Sequence, residues 1–154
     1  IDSINQKTID IIQKGQKAED IIPIIKSMSD AGLSPHTTWM STYPFETWED
    51  EKKSIDACNF LLRKGYSKTA QASIYCKPRT APSPDSEGHK RIPLYFNAYK
   101  HPEFWYHKIT DIRRWEDFTY LLRGGRLVFE EHWRKMKHNL INKGGEHDHQ
   151  QIRN

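Results

Sequence analysis

Long apolar runs are missing from this chain, and so is any stretch that could cross a bilayer as a helix. Nothing at the N-terminus joins a charged region to an apolar one as a signal peptide does, which predicts a cytoplasmic protein. Cysteine is scarce. Cys58 and Cys76 are too few for a disulfide framework and too far apart for a local metal knuckle, so both are expected to be reduced thiols. The phosphate-binding loop G-x-x-x-x-G-K-[ST], the nucleophile elbow G-x-S-x-G and the metalloprotease helix H-E-x-x-H are all missing, which removes the commonest nucleotide-triphosphatase and hydrolase signatures. No internal repeat is visible.

What is present is a polar globular composition, 36% apolar and 29% charged over 154 residues, enough for one domain with a modest core. A net charge of +4 gives mild attraction to polyanions and no more, so nucleic-acid binding is not expected from charge alone. The basic and aromatic segment Lys90 to Arg114 could in principle stack on a nucleic-acid strand. Glu103 and Asp111 interrupt it, and a helix with one packed aromatic side accounts for it equally well, His101 and His107 included. His147, Asp148 and His149 imitate a metal site, but three adjacent residues in a polar tail lack the supporting contacts a metal site needs.

Hydrophobic spacing predicts a short helix over Asn5 to Lys14 stopped by Gly15, and a second over Ala18 to Ala31 with Ile21, Ile22, Ile25 and Met28 on one face and Gly32 as its stop. Pro23 falls in the first turn, where a missing N–H costs little. His36 to Ser41 is β-prone and ends at Tyr43-Pro44. Thr47 then stands three residues ahead of Asp50 in a capping-box pattern, opening a helix whose buried face is Ile55, Cys58, Leu61 and Leu62. Thr69 to Tyr75 alternates as a strand, with Ala70, Ala72 and Ile74 on one face. Helix, strand, helix, strand with short links is the pattern of a parallel βα architecture. Lys77 to Pro93, rich in Pro, Ser and Asp, predicts a long loop, with 83–101 as a linker. Two helices are expected in the extension 102–141, over Pro102 to Leu122 and Val128 to Leu140 with Gly124-Gly125 between them, then a frayed tail over 142–154.

In parallel α/β folds ligands gather at the carboxyl ends of the strands. Tyr43, Pro44 and Glu46 lie at one such end and Cys76, Lys77, Pro78, Arg79 and Thr80 at the next. These pieces resemble the second half of the radical S-adenosylmethionine (radical SAM) barrel, in the branch that often carries a cobalamin-binding domain. That family has a helix ending in A-G-[IL], a strand, then G-[FY]-P-[GW]-E-[ST]-x-[ED]-[ED], which Tyr43, Pro44, Glu46, Thr47, Glu49 and Asp50 match in order. Pro78 to Pro82 is similar to the family's P-G-T-P. Asp2, Ser3, Asn5, Lys14 and Gly15 fall on E-S-G-[SN]-x-x-x-L-x-x-[IM]-x-[KR]-G, which follows the fourth barrel strand.

The resemblance covers residues 1–82 and implies the C-terminal part of a partial (β/α)6 barrel, with the helical extension over the barrel bottom or its substrate side. It implies S-adenosylmethionine as cofactor, cleaved reductively at a [4Fe-4S] cluster to start radical chemistry on an unknown substrate. An electron donor such as flavodoxin or ferredoxin, and in this branch cobalamin, would accompany it. Ser3 and Asn5 would lie near the ribose or the methionine moiety. Thr42, Tyr43, Pro44 and Glu46 would line the cofactor pocket, and Tyr75, Cys76 and Lys77 would flank the adenine. Ile4, Thr42 and Phe45 stand where the family commonly has glycine, and Arg79 replaces the glycine of P-G-T. The C-x-x-x-C-x-x-C loop that holds the cluster is not in this chain. The expectation is therefore a fragment whose cluster-binding half lies upstream of Ile1, inactive alone. The alternative is a stand-alone basic α/β module binding RNA or a protein partner.

Overall fold

A computed structural model describes residues 1–77 and 86–151, with side chains up to Lys137 apart from Glu131. The chain divides into two compact units, residues 1–108 and 109–154. The first is α/β and mostly helical. Its described elements run α1 (Gln6–Ile11), α2 (Ala18–Asp30), β1 (His36–Ser41), α3 (Trp48–Arg63), β2 (Thr69–Ile74), α4 (Glu87–Arg91), a 3₁₀ helix (Ile92–Lys100) and α5 (Pro102–Thr110), whose last two residues belong to the second unit. α6 (Trp115–Gln151) follows there.

The local reasons are those the sequence offers. Asn5 caps α1, its Oδ1 accepting the N–H of Lys7 at 3.0 Å. α2 ends in a Schellman turn in which Gly32 adopts φ +81° and the Leu33 N–H reaches the Met28 carbonyl at 3.0 Å. Ile21 and Ile25 are buried, whereas Met28 is exposed. The capping box of α3 forms in both directions: Thr47 Oγ1 accepts from the Asp50 N–H, and an Asp50 carboxylate oxygen from the Thr47 N–H, each at 3.2 Å.

β1 and β2 pair in parallel as an open two-stranded sheet, Thr37 opposite Ala70, Trp39 opposite Ala72 and Ser41 opposite Ile74. The Tyr75 N–H extends the ladder to the Ser41 carbonyl at 2.9 Å. Thr37, Trp39 and Ser41 point into a core with Ile55, Cys58, Leu61 and Tyr95. The opposite face presents His36, Thr38 and Gln71 to solvent. On the edge of β1 away from β2, the Met40 N–H donates to the Asp2 carbonyl at 2.9 Å.

The predicted 83–101 loop is corrected: from Glu87 on it is helical. Its proline and serine content concealed an apolar stretch, Leu94 to Ala98, that packs on α3, where Tyr95 is buried against Trp39 and its carbonyl accepts from the Cys58 thiol. Pro93 sits in the first 3₁₀ turn, where its missing N–H goes unused. The break predicted at Gly124-Gly125 falls instead at 111–114, because the Asp117 carboxylate caps α6 by accepting the N–H groups of Arg113 and Arg114 at 3.0 and 2.9 Å. The two glycines stay within α6, each costing about 1 kcal/mol against alanine amid strong helix formers. α6 also continues past Asn142, where the sequence predicts a tail. The Pro78 to Pro82 motif, and the side chains of His147, Asp148 and His149, lie outside the described residues.

Among the described residues no helix is long and apolar enough to cross a membrane. α5 is held at the amino ends of the strands. Glu103 meets Lys64 at 2.5 Å and Arg63 at 3.1 Å, and Lys108 Nζ donates to the Lys68 carbonyl at 2.5 Å. Lys68 in turn joins the strand starts through the Pro35 carbonyl.

Candidate functional site

Three separate segments meet at the carboxyl end of the sheet: residues 2–8, the turn after β1, and Tyr75 after β2. Their centre is Glu46. Its Oε1 accepts from the Ser3 hydroxyl at 2.9 Å and from the Thr8 hydroxyl at 2.6 Å. A relay stands behind it, in which the Ile4 N–H donates to Ser54 Oγ and the two serine oxygens lie 3.1 Å apart. The Asn5 N–H also donates to Ser3 Oγ, at 3.1 Å. Ser3, Thr8 and Ser54 are buried. Glu46 itself is half-buried, and its Oε2 takes no hydrogen bond among the described residues.

Burial lifts the Glu46 carboxyl above its usual range, against the pull of the Thr8 and Ser3 hydroxyls, with the charges of Glu51 and Asp50 adding to the lift. A carboxyl tuned this way accepts a hydrogen bond through one fixed and one open oxygen, and it exchanges a proton closer to neutrality than a free glutamate does.

An aromatic wall adjoins it. Tyr43 stacks on Phe45 at 5.1 Å and tilts against Tyr75 at the same distance. Burial first, then the charges of Asp2 and Glu46, push the Tyr43 phenol up to about 12, so it stays protonated at neutral pH. Pro44 is exposed at the tip of the turn. Thr42 adopts φ +63°, a left-handed conformation unusual for a β-branched residue, with Oγ1 donating to the Ser41 carbonyl at 2.7 Å.

Of the residues read from the sequence, Ser3, Asn5, Thr42, Tyr43, Pro44, Glu46 and Tyr75 are thus gathered at one end of the sheet. Cys76 and Lys77 run on past Tyr75 and are exposed, the Cys76 thiol turning back to the Ile74 carbonyl at 3.5 Å.

The sequence reading missed a second carboxylate. Glu51, buried on α3, accepts from the Ser41 hydroxyl through Oε1 and from Arg91 Nη1 at 2.6 Å through Oε2. The Arg91 guanidinium also lies over the Trp48 ring, 5.0 Å from its centroid. The available signal was the helical stripe: Glu51 and Ser54 lie four and seven residues ahead of Ile55 and Leu61, on the buried face. Thr8, next to buried Ile9, carries no comparable mark.

Sulfur donors do not form a site here. Cys58 is buried, its thiol pushed up to about 12 by desolvation, and Cys76 is exposed. No group of three or more metal-ligating side chains occurs among the described residues. The fold and site define an α/β unit with a cluster of hydroxyl, carboxylate and aromatic side chains at the carboxyl ends of two parallel strands. No protein-family model matches the chain, and neither does any curated protein or solved structure.

Proposed function

We propose that residues 1–82 are the last part of a radical SAM barrel and that the Glu46 site is part of its S-adenosylmethionine pocket. The observation that carries this reading is the convergence of Ser3 and Glu46, 43 positions apart, on one 2.9 Å hydrogen bond. These residues come from the two motifs of the resemblance that the described residues cover most fully.

Three further features support it. Thr42, where the family has glycine, adopts a backbone conformation that glycine favours. The sheet is covered by α3 and the 3₁₀ helix on one face only, as the outer face of a barrel is covered by its helices. The Asp2 carbonyl bonds the free edge of β1, where a fourth strand would end.

The residues fit S-adenosylmethionine in chemical type. Glu46, oriented by the buried Ser3 and Thr8 hydroxyls, offers its open carboxylate oxygen to the ribose or amino acid end, and half-buried Tyr75, backed by Tyr43, offers a ring to the adenine. They do not fit the iron-sulfur cluster, since Cys58 is buried against Tyr95 and one exposed thiol cannot hold it. The reading therefore puts the cluster ligands in residues upstream of Ile1. In the family the cofactor, cleaved at the cluster, supplies the radical; this chain's share is to bind, orient and exclude water.

The test is the reading frame upstream of Ile1, followed by anaerobic reconstitution of the encoded protein with iron and sulfide. A C-x-x-x-C-x-x-C loop, a brown product and 5′-deoxyadenosine release from S-adenosylmethionine support the reading. An upstream frame without that loop over a barrel's length overturns it.

A further inference from the structure

The second unit carries an apolar stripe along α6 that its own residues leave open. Trp115, Phe118, Leu122, Phe129, Trp133 and Met136 fall on one narrow face at helical spacing. Trp115 is 73% exposed, Leu122 56%, Phe129 67% and Trp133 57%, more aromatic surface than a solvated helix normally shows.

Among the residues whose side chains are described, the stripe reads the same from both ends. Its steps of three, four, seven, four and three residues are symmetric about Gly125-Arg126. A second copy running antiparallel would set Trp115 against Met136, Phe118 against Trp133 and Leu122 against Phe129. At the centre Gly124 and Gly125 offer no side chain, and Arg126 is already neutralised by Glu130 at 2.6 Å.

The charges point the same way. Flanking the stripe, Glu116, Arg123, Glu130 and Lys137 recur every seven residues with alternating sign. Antiparallel pairing places Glu116 opposite Lys137 and Arg123 opposite Glu130, four attractive pairs across the dyad. Parallel pairing in register turns this flank toward the opposite flank of the partner, so the four charges form no such pairs.

We infer that α6 is an interaction surface for a second copy of this chain, closing an antiparallel, isologous helix pair through this stripe. Each contact is made twice, so single changes count double.

Sedimentation equilibrium on the full chain tests it, with far-UV circular dichroism to confirm that each variant keeps its helix. The wild type should dimerise, and Leu122→Glu should be monomeric at concentrations where the wild type is paired. Glu116→Lys should weaken the dimer on the order of tenfold, because two attractive pairs become repulsive. Adding Lys137→Glu to it restores opposite signs across the dyad and should recover most of that loss.

Orientation is read by cross-linking in a Cys76→Ser background. Arg126→Cys, near the dyad, should form an intermolecular disulfide, and Trp115→Cys, on the stripe but far from the dyad, should not. A monomeric wild type, an unrescued double variant, or cross-linking through Trp115→Cys overturns the inference.

Discussion

Removal of the Arg91 side chain should destabilise the fold far more than its partly exposed position suggests. Glu51 is 1% exposed and holds two donors, Ser41 on one oxygen and Arg91 on the other. Truncating Arg91 leaves a buried carboxylate with one neutral donor, and a buried pair broken in this way costs about 3–5 kcal/mol. Arg91 is 27% exposed, so water can enter the space it vacates. With that screening the expected loss for Arg91→Ala is about 2–3 kcal/mol. The converse change should cost less. In Glu51→Gln the guanidinium keeps its contact with Trp48 and turns to solvent, for a loss of about 1–2 kcal/mol. Urea titration of the full chain, followed by tryptophan fluorescence and circular dichroism together, gives both values and, with the double variant, their coupling. If Glu51→Gln costs more than Arg91→Ala, or if Arg91→Ala costs under about 0.5 kcal/mol, the assignment of Glu51 as the less solvated partner is wrong.

The Glu46 carboxyl gives a pH-dependent counterpart. Because burial raises its folded pKa above the ordinary 4.5, its contribution to stability is full below that value and is lost as pH rises through the folded pKa. Glu46→Gln keeps an acceptor for Ser3 and Thr8 while removing the charge. The variant should therefore gain on the wild type as pH is raised from 4 to 7, in urea midpoints measured at each pH; a constant difference would refute this. Gly88→Ala should lose about 1–3 kcal/mol in the same assay, because the added Cβ would meet Ile74 at 2.9 Å and Thr42 Oγ1 at 3.1 Å. An aromatic disulfide reagent at pH 8 should label one thiol in the native chain, exposed Cys76, and both after unfolding. Rapid labelling of two native thiols would show that the core around Cys58 opens readily.

The elements that rest on neighbours in sequence were the legible ones. Thr47 and Asp50 are three residues apart, so the start of α3 is written in the sequence, and the alternation in Ala70 to Ile74 marks the inner face of β2, whereas Thr37 to Ser41 is only β-prone and shows its buried face in the structure alone. The 3₁₀ helix was hidden because its reason for existing is tertiary: Tyr95 needs Trp39 and Cys58, which lie far from it in sequence. The same holds at the site. Ser3, Tyr43 and Glu46 were found through motif spacing, but the Glu51–Arg91 pair spans 40 positions, and only Glu51's place on the buried stripe hinted that it needed a partner. Gly124-Gly125 misled for the opposite reason: the cap at Asp117 starts the helix, and local propensity at two positions is too weak to stop it.

The corner after β1 shows why the site's unusual backbone and its buried charge pair belong together. Ser41 and Tyr43 are both buried, Ser41 reaching Glu51 and Tyr43 reaching Phe45 and Tyr75, so the residue between them must absorb the change in direction. Thr42 does so at φ +63°, a conformation costing about 1–3 kcal/mol for a residue other than glycine. The surroundings must hold it there, and α4 is placed to do this: Gly88 packs against Ile74 and Thr42, while Arg91, one turn further on, binds the carboxylate that also holds Ser41. α4 thus grips the corner through a close contact at one end and an ion pair at the other. Loss of Arg91 would release Ser41's partner and the packing on Thr42 together, so the turn that presents Glu46 depends on a residue 45 positions beyond it.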